Sequence, residues 1–595
     1  WAQTTGKISG TVTAEDGTAL SGANVSVLGT ASGAAANENG EFLILNVPAG
    51  SYTVKGSYIG YSSLEVVNVR VTSGLNTDVI LALGVSAVEG DVVQVTAEKP
   101  LIQKDETSSV SVVTSEQLTN MPIRSLDGVL ATMPGVVVQN NDVHIRGGRD
   151  NEVAYFLNGA STTNLGNREN LVYVPQEAIE ELQVQVGGYD AEVSGANSGV
   201  VKRSLKRGTS EFTGTLSHQF DGGTAGDDFF GGYSYGHATT LASVSGPLMG
   251  ESLKFFAAFE KSDEEDPYVK VSNAFAFDKQ KDESPNAPTY GSDEYDLSWK
   301  DGVTPGSSDE FTNLTGTLTY DAGPLRATVG VVRNSKTNNQ GGGIMSQLRW
   351  GGATIMTEDS VNVTVDPRYS FTESASTMIT SELTYALSPN TILRANVSQY
   401  SQESETNDNW FGTNWKDWHD SSAVQGYLRI ADDSTGWSPF KSYYSQKSSY
   451  QVNGMDFSRP GTRPSNYYKS AYEKTGFSAS LQHVMGNHDI KAGLDYNAHT
   501  LRDYYANPTV MKFSLDNETA ISKYGHVGYG SFDDIPEDVL KTYIDGYGYD
   551  FNGDAITDEY KWTDPDDAEN VVLLDGAKMP TEVGFYLQDK MEFDD

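Results

Sequence analysis

The chain has no cysteine among 595 residues, so disulfides and thiolate metal sites are excluded. It has no run of 18 apolar residues, so it has no transmembrane helix. That says nothing against a membrane, because a barrel strand needs only about ten alternating residues. Positive charge is scarce: 41 Lys plus Arg stand against 80 Asp plus Glu, a formal charge of −39. Such a surface repels phosphate backbones and argues against nucleic acid as a partner. Histidine is rare at 8, and none precedes His144, so a His-based zinc site in the N-terminal quarter is excluded. The others, including His237, His419, His483, His488 and His499, show no ligand spacing, and no nucleophile–base pair is visible. The sequence therefore reads as no enzyme.

What is abundant is glycine (60), tyrosine (32) and short alternating runs, the composition of a turn-rich β protein. The length calls for several domains. Residues 1–6 read either as the remnant of a secretory signal, with cleavage after Ala2, or as an ordinary tail. Residues 7–83 hold many short strands separated by turns such as Asp16-Gly17 and Asn39-Gly40, which predicts a small β-sandwich. Residues 84–104 form a linker containing one extended, half-apolar run, Asp91-Val92-Val93-Gln94-Val95-Thr96-Ala97.

Residues 105–207 mix helix and strand signals. Ser115 caps a helix with Leu118 and Met121 at helical spacing, and a second helix spans 125–133 before Pro134-Gly135. Strand-like runs follow at 136–138, 143–145, 153–157, 179–186 and 199–203. From residue 208 to 595 the pattern becomes long alternating strands at 212–220, 238–246, 253–262, 312–321, 325–334, 377–387, 391–402, 475–485, 488–499 and 583–593. Short connections, such as Ala322-Gly323-Pro324 and Gly486-Asn487, alternate strictly with long ones such as 403–474. A soluble sandwich alternates too, but rarely carries several loops of forty residues. A membrane barrel does, with tight turns at one rim.

The landmarks Leu126-Asp127-Gly128-Val129-Leu130, Met133-Pro134-Gly135-Val136, His144-Ile145-Arg146-Gly147-Gly148-Arg149, Phe156-Leu157-Asn158-Gly159, Ile179-Glu180-Glu181-Leu182-Gln183-Val184 and Gly187-Gly188-Tyr189-Asp190-Ala191-Glu192 occur in order over about a hundred residues. In that order the stretch resembles the plug domain of TonB-dependent outer-membrane receptors. Two positions depart from the family, which has Asp-Gly where Asn158-Gly159 stands and Thr-Lys where Leu205-Lys206 stands. The stretch before it, with Gly10, Asp16-Gly17, Gly40, Phe42, Pro48-Ala49-Gly50, Tyr52 and Gly60-Tyr61, is similar to the carboxypeptidase regulatory-like domain, a seven-stranded sandwich without catalytic residues.

The resemblance implies a mainly β architecture: an N-terminal sandwich in the periplasm of a Gram-negative bacterium, an α+β plug, and an antiparallel β-barrel in the lipid bilayer. Such barrels have 22 strands, so the ten here imply a partial barrel with open edges; the alternative, a closed ten-stranded barrel, is too narrow to hold a plug. It also implies energised import. Asp91, Val92, Val93, Gln94, Val95 and Thr96 occupy the place of the TonB box, which adds as a strand to TonB's sheet; the alternative is a linker strand packed on the plug. Arg146, Gly147, Gly148, Arg149, Asn158 and Gly159 carry the plug motif. The expected partners are TonB, an extracellular ligand (glycan, peptide or chelate) and a surface lipoprotein; the sandwich-first order resembles receptors of Bacteroidetes-like lineages. The same scaffold without import would serve surface adhesion or assembly.

Two loop features stand beside this. Asp550, Asn552, Asp554, Ile556 and Asp558 fall at positions 1, 3, 5, 7 and 9 of a Ca2+ loop. Position 6 is Ala555 rather than glycine and position 12 is Lys561 rather than glutamate, so the alternative is an acidic loop with no ion. Trp410, Phe411, Trp415, Trp418, Tyr443, Tyr444, Tyr467 and Tyr468 either pack loop against loop or grip a ligand, with packing favoured.

Overall fold

The computed structural model describes residues 4–591 except 86–91, 97–108, 223–227, 266–273, 282–292, 301–307, 340–351, 357–361, 419–448, 459–465, 509–534 and 564–570 and a few single or paired positions. The N-terminal alternation folds as two facing sheets. The strands are β1 (Thr5–Ala14), β2 (Asn24–Val27), β3 (Gly33–Ala35), β4 (Glu41–Pro48), β5 (Gly50–Ser57), β6 (Ser63–Val71) and β7 (Asn76–Leu83). One sheet has the order β4-β1-β7, and the other runs β3-β2-β5-β6 and then takes an eighth strand, β8 (Val92–Thr96). Ile8, Val12, Val25, Val27, Phe42, Ile44, Val54, Leu81 and Leu83 fill the space between them. Each such side chain contributes about 1.5–3 kcal/mol by leaving water.

β1 begins earlier than the turn pattern indicates. Thr4 and Thr5, read from sequence as tail, are buried: Thr4 donates to Glu382, and Arg394 donates to the Thr5 hydroxyl at 3.2 Å. Two threonine hydroxyls beside charged groups hold a segment that has no apolar signal. Trp1, Ala2 and Gln3 lie outside the described residues.

The plug consists of β9 (Val110–Thr114), α1 (Ser115–Asn120), α2 (Leu126–Leu130), the hairpin β10 (Val136–Gln139) and β11 (Asp142–Ile145), then β12 (Val153–Leu157), β13 (Ala160–Ser161), β14 (Ile179–Gln185) and β15 (Gly199–Leu205). The cap of α1 is Thr114, not Ser115: its hydroxyl accepts from the Gln117 amide while the Gln117 side chain accepts from the Thr114 N–H. α2 is shorter than the pattern predicts, with Ser125 as its cap. Five strands form one sheet in the order β13-β12-β15-β14-β9, leaving β9 at an edge.

The third part is a wall of ten long strands: Thr213–Phe220, His237–Met249, Leu253–Glu264, Asp309–Ala322, Leu325–Asn339, Ser370–Ser388, Thr391–Asp408, Tyr467–Met485, His488–Ala506 and Thr581–Met591. Each pairs antiparallel with the next in chain order. A short strand, Ile544–Tyr547, adds to the upper end of His488–Ala506. Among the described residues the sheet is open: Thr213–Phe220 and Thr581–Met591 are its two margins and do not pair with each other.

The wall's two faces are inverted relative to a soluble sheet. Leu314, Leu318, Val329, Ile379, Leu383, Leu393, Val397, Phe477 and Leu481 are exposed, Val397 by 50%. Asn313, Thr315, Asn334, Thr380, Arg394, Asn396, Lys474 and Ser478 are buried on the other face, toward the plug. Exposed apolar rows over polar buried rows fit a sheet whose outer solvent is hydrocarbon.

Candidate coupling strand and plug seat

β8 contains the candidate coupling residues Val92, Val93, Gln94, Val95 and Thr96; Asp91 and Ala97 lie outside the described residues. The strand packs neither on the plug nor apart. It pairs in parallel with β6 of the sandwich, in the register Ser63↔Val92, Leu64↔Val93, Glu65↔Gln94, Val66↔Val95 and Val67↔Thr96. Gln94, Val95 and Thr96 are exposed, so the grip on this part of the strand is main-chain hydrogen bonding rather than burial.

The sandwich is itself seated on the plug. Arg70 of β6 reaches Glu180 at 2.9 Å and Glu181 at 3.5 Å. The Ser73 amide donates to Glu181 (3.1 Å), and the Gln183 amide donates to the Ser73 carbonyl (2.7 Å). Burial raises the carboxyls of Glu180 and Glu181, and the Arg70 guanidinium opposes this. Two glutamates inside a strand whose neighbours are buried could have flagged a cationic partner; nothing in the sequence picks Arg70, more than a hundred residues earlier.

The sandwich also meets the wall. Lys254 donates to the Gly29 carbonyl at 2.6 Å and Arg326 to the Asn46 carbonyl at 2.7 Å. These cations end on backbone oxygens, which no side-chain pattern announces.

The plug motif resolves into two tight turns. In the first, Arg146 (φ 50°) and Gly147 (φ 76°) link Ile145 to Gly148, whose amide donates to the Ile145 carbonyl. The Arg146 side chain is exposed, and His144 is half-buried with Nδ1 3.1 Å from the Gly148 carbonyl, a local structural contact. The Arg149 amide donates to Glu152 at 3.0 Å. In the second, Asn158 (φ 46°) and Gly159 (φ 80°) close the β12–β13 hairpin. Positive φ at both central residues is the I′ geometry that Asn-Gly favours.

That second turn touches the wall. Asn158 Oδ1 accepts from the Leu205 amide (2.9 Å), its Nδ2 faces Thr380 Oγ1 (3.4 Å), and its carbonyl accepts from Asn396 (3.1 Å). The two motif turns are not brought together into one site. Further seats are Tyr400 on the Leu171 carbonyl, Lys474 on the Ser161 carbonyl and Tyr173 on Glu260, each at 3.1 Å. Lys491 pairs with the buried Glu192, beside Lys202. Burial alone would raise the Glu192 carboxyl, but Lys491 and then Lys202 outweigh it and hold it down to about 2.

The long loops have a core of their own. Trp415, Trp418, Tyr467, Tyr504, Val539, Ile544, Phe551 and Leu574 are buried together, the packing alternative for the loop aromatics. Tyr443 and Tyr444 lie outside the described residues. Arg368, fully buried, pairs with Asp408 at 2.7 Å, donates to the Trp418 carbonyl and stacks near Trp410 and Phe411. Neither partner carried a sequence signal.

The residues of the Ca2+ reading, 550–558, close onto this loop core. Asp550 Oδ1 accepts from the amides of Asn552 and Asp554, both at 2.9 Å, and Asn552 Oδ1 accepts from the Lys416 ammonium at 3.0 Å. Tyr549 bridges Ala555, and Ile556 donates to the Gly548 carbonyl. Asp554 and Asp558 are exposed, and among the described residues no three carboxylates or imidazoles gather as a metal site. The segment forms a turn bonded to itself and, through Asn552, to Lys416.

Comparisons with known proteins follow this division. Residues 7–84 match the family model of the carboxypeptidase regulatory-like domain, and residues 102–201 match that of the TonB-dependent receptor plug domain. The TonB-dependent transporter Oar of Myxococcus xanthus is 23% identical over 305 residues, covering 47% of this chain and 28% of Oar. The TonB-dependent receptor P3 of Formosa agariphila is 34% identical over 152 residues, covering 24% of this chain and 15% of P3. Among solved structures, the outer membrane transporter YddB of Escherichia coli aligns with 67% of this chain and 49% of its own, at TM-score 0.42 and 12% identity. The alcaligin outer-membrane receptor FauA of Bordetella pertussis aligns with 68% and 49%, at 0.40 and 12%. The chain spans little more than a quarter of Oar's length and about half that of each solved relative.

Proposed function

We propose that this chain, which belongs to the TonB-dependent outer-membrane receptors, binds an extracellular ligand and admits it to the periplasm with energy passed from TonB. One observation carries the reading. A folded plug is held on the inner face of a sheet whose opposite face is apolar, both by polar contacts and by an apolar cluster in which Phe256, Val332, Met378 and Tyr400 of the wall pack with the plug's core. β8 precedes the plug in the chain, where a pull enters it first. Glycan, peptide and chelate ligands all remain within the proposal, as does a surface lipoprotein above the loops.

The test uses cells expressing the chain with or without residues 91–97, given radiolabelled oligosaccharides, peptides and ferric chelates. Import predicts accumulation of at least one probe that an uncoupler abolishes and that the deletion abolishes. Surface binding with no energised accumulation would turn the reading to adhesion or assembly. Uptake that survives the deletion would remove TonB coupling through this strand.

A further inference from the structure

The sandwich, the plug and the wall meet around one small cavity of about 50 Å³, near the tight Gly486-Asn487 turn of the wall. Lys7 lines it from the sandwich, Asp190 from the plug, and Arg394, Asp489, Lys491 and Lys590 from the wall. Four cations thus share the space with two carboxylates, in a chain where acids outnumber bases about two to one. Counting Glu192 as well, which pairs with Lys491, still leaves one positive charge in surplus. The carboxylates are served in part by neutral amides: Gln482 donates to both oxygens of Asp489 (2.8 and 3.0 Å), and Gln588 donates to Asp190 (3.0 Å).

Arg394 is the centre of the argument. It is 2% exposed, and its printed bonds go to neutral acceptors: Nη1 donates to Gln482 Oε1 at 2.8 Å and Nη2 to Thr5 Oγ1 at 3.2 Å. Its Nε is buried with no hydrogen-bond partner. Asn46 of the sandwich lines the same cavity, and its Oδ1 is likewise buried without one. A buried donor and a buried acceptor left open beside a charge surplus call for a ligand that answers both. We propose that this junction binds inorganic phosphate, and that the bound ion ties the sandwich to the plug and the wall. An enclosed oxygen needs roughly 10–15 Å³ of such space, so the cavity admits about four, the number in a tetrahedral oxyanion. It leaves no room for the glycerol and chains of a lipid. The negative charge meets the surplus and the Arg394 N–H, the stronger kind of hydrogen bond. The hydroxyl that phosphate carries near neutral pH donates to Asn46 Oδ1, which sulfate cannot do. Water alone would fill the space and leave the charge unanswered. The site rests on the fold and stands whether or not the chain imports a ligand.

The test titrates the full chain, dialysed free of phosphate in phosphatidylcholine nanodiscs, with inorganic phosphate by calorimetry. One saturable site per chain is expected, which sulfate fills more weakly. Arg394→Gln and Lys590→Gln should each weaken it about tenfold or more. Lys590 is only half-buried, so its variant carries the test should Arg394→Gln fail to fold. Lys261→Gln, which removes an exposed cation beside Asp263, should change nothing. Asn46→Gly keeps the positive φ and the carbonyl that Arg326 uses, and should erase the preference for phosphate over sulfate. Phosphate should also slow hydrogen exchange in peptides spanning 5–14 and 188–196. No saturable binding, or binding that Lys590→Gln leaves unchanged, would overturn the site. Loss of phosphate binding in discs containing phosphatidylglycerol would give the cavity to an anionic headgroup and overturn the free ion as its ligand. Binding with no slowing of exchange would overturn the tie between the three parts.

Discussion

The sandwich and the wall are written in the same period-two alphabet and mean opposite things by it. In β1, Ile8 and Val12 point into a shared apolar interior. In the wall, Leu393, Val397 and their neighbours point out, while Arg394, Asn396 and Ser398 point toward the plug. Alternation tells which residues share a face and leaves open which face is inside. That is decided by what surrounds the sheet: water expels apolar rows, hydrocarbon accepts them.

The largest test of this comparison places one substitution in both. Val12→Arg puts an unpaired charge in the sandwich core, a change worth more than about 4 kcal/mol. A module of this size has roughly 4–11 kcal/mol in all. Proteolysis of the full chain should then cut within 4–85 and leave the wall intact. Val397→Arg places the same charge on the exposed row and should cost about 2–4 kcal/mol when folding is measured in bilayer vesicles. A neutral Val397→Arg in vesicles would mean that this face never meets lipid.

The comparison also shows what the sequence carried. The ten wall strands and their alternating connections were legible because alternation and turn chemistry are local. So was the plug, through landmarks such as Asn158-Gly159 that report backbone geometry. The partner of β8 was not, because main-chain pairing leaves no mark on the side chains of Val92–Thr96. Arg368 and Asp408, forty residues apart, left none either. The loop at 550–558 stays open to both readings of its sequence, because oxygen-bearing residues at alternate positions serve a self-bonded turn as well as a cation.

A smaller effect separates the two seams of the plug by pH. Glu192, against the wall, has a folded value of about 2, below its ordinary 4.5. Its contribution, of order 3 kcal/mol, is present above pH 4.5 and lost as the pH falls from there toward 2. Glu180 and Glu181, against the sandwich, are raised by burial. Their contribution has the opposite sign: it is full below the ordinary carboxylate value and lost as the pH rises through their raised values. Acid should therefore loosen the plug–wall seam while tightening the sandwich–plug seam. Hydrogen exchange of peptides spanning 188–196 and 179–186, corrected for intrinsic rate between pH 7 and 3.5, should move in opposite directions. Parallel movement would show that the seams are not independent.

The smallest effect concerns the Asn158-Gly159 turn of the plug. Asn158 sits at positive φ and is nearly buried, so its side chain must both satisfy its neighbours and tolerate the backbone. A neutral amide does this: its oxygen takes the Leu205 N–H while its nitrogen faces the Thr380 hydroxyl. Aspartate would keep the first contact, lose the second as a donor, and put a charge where only 8% of the residue is exposed. Asn158→Gly keeps the turn and loses only the side-chain bonds, so about 1 kcal/mol is expected. Asn158→Ala loses the same bonds and also strains a positive φ, adding about 1 kcal/mol. Asn158→Asp keeps the Leu205 bond, so it should lie above the glycine variant in acid, where the carboxyl is protonated, and fall below it at neutral pH. Denaturant titration read by exchange of the β15 amides at pH 4 and pH 7 would order the three. If Asn158→Asp stays level with the native chain at pH 7, the amide's second contact has no weight.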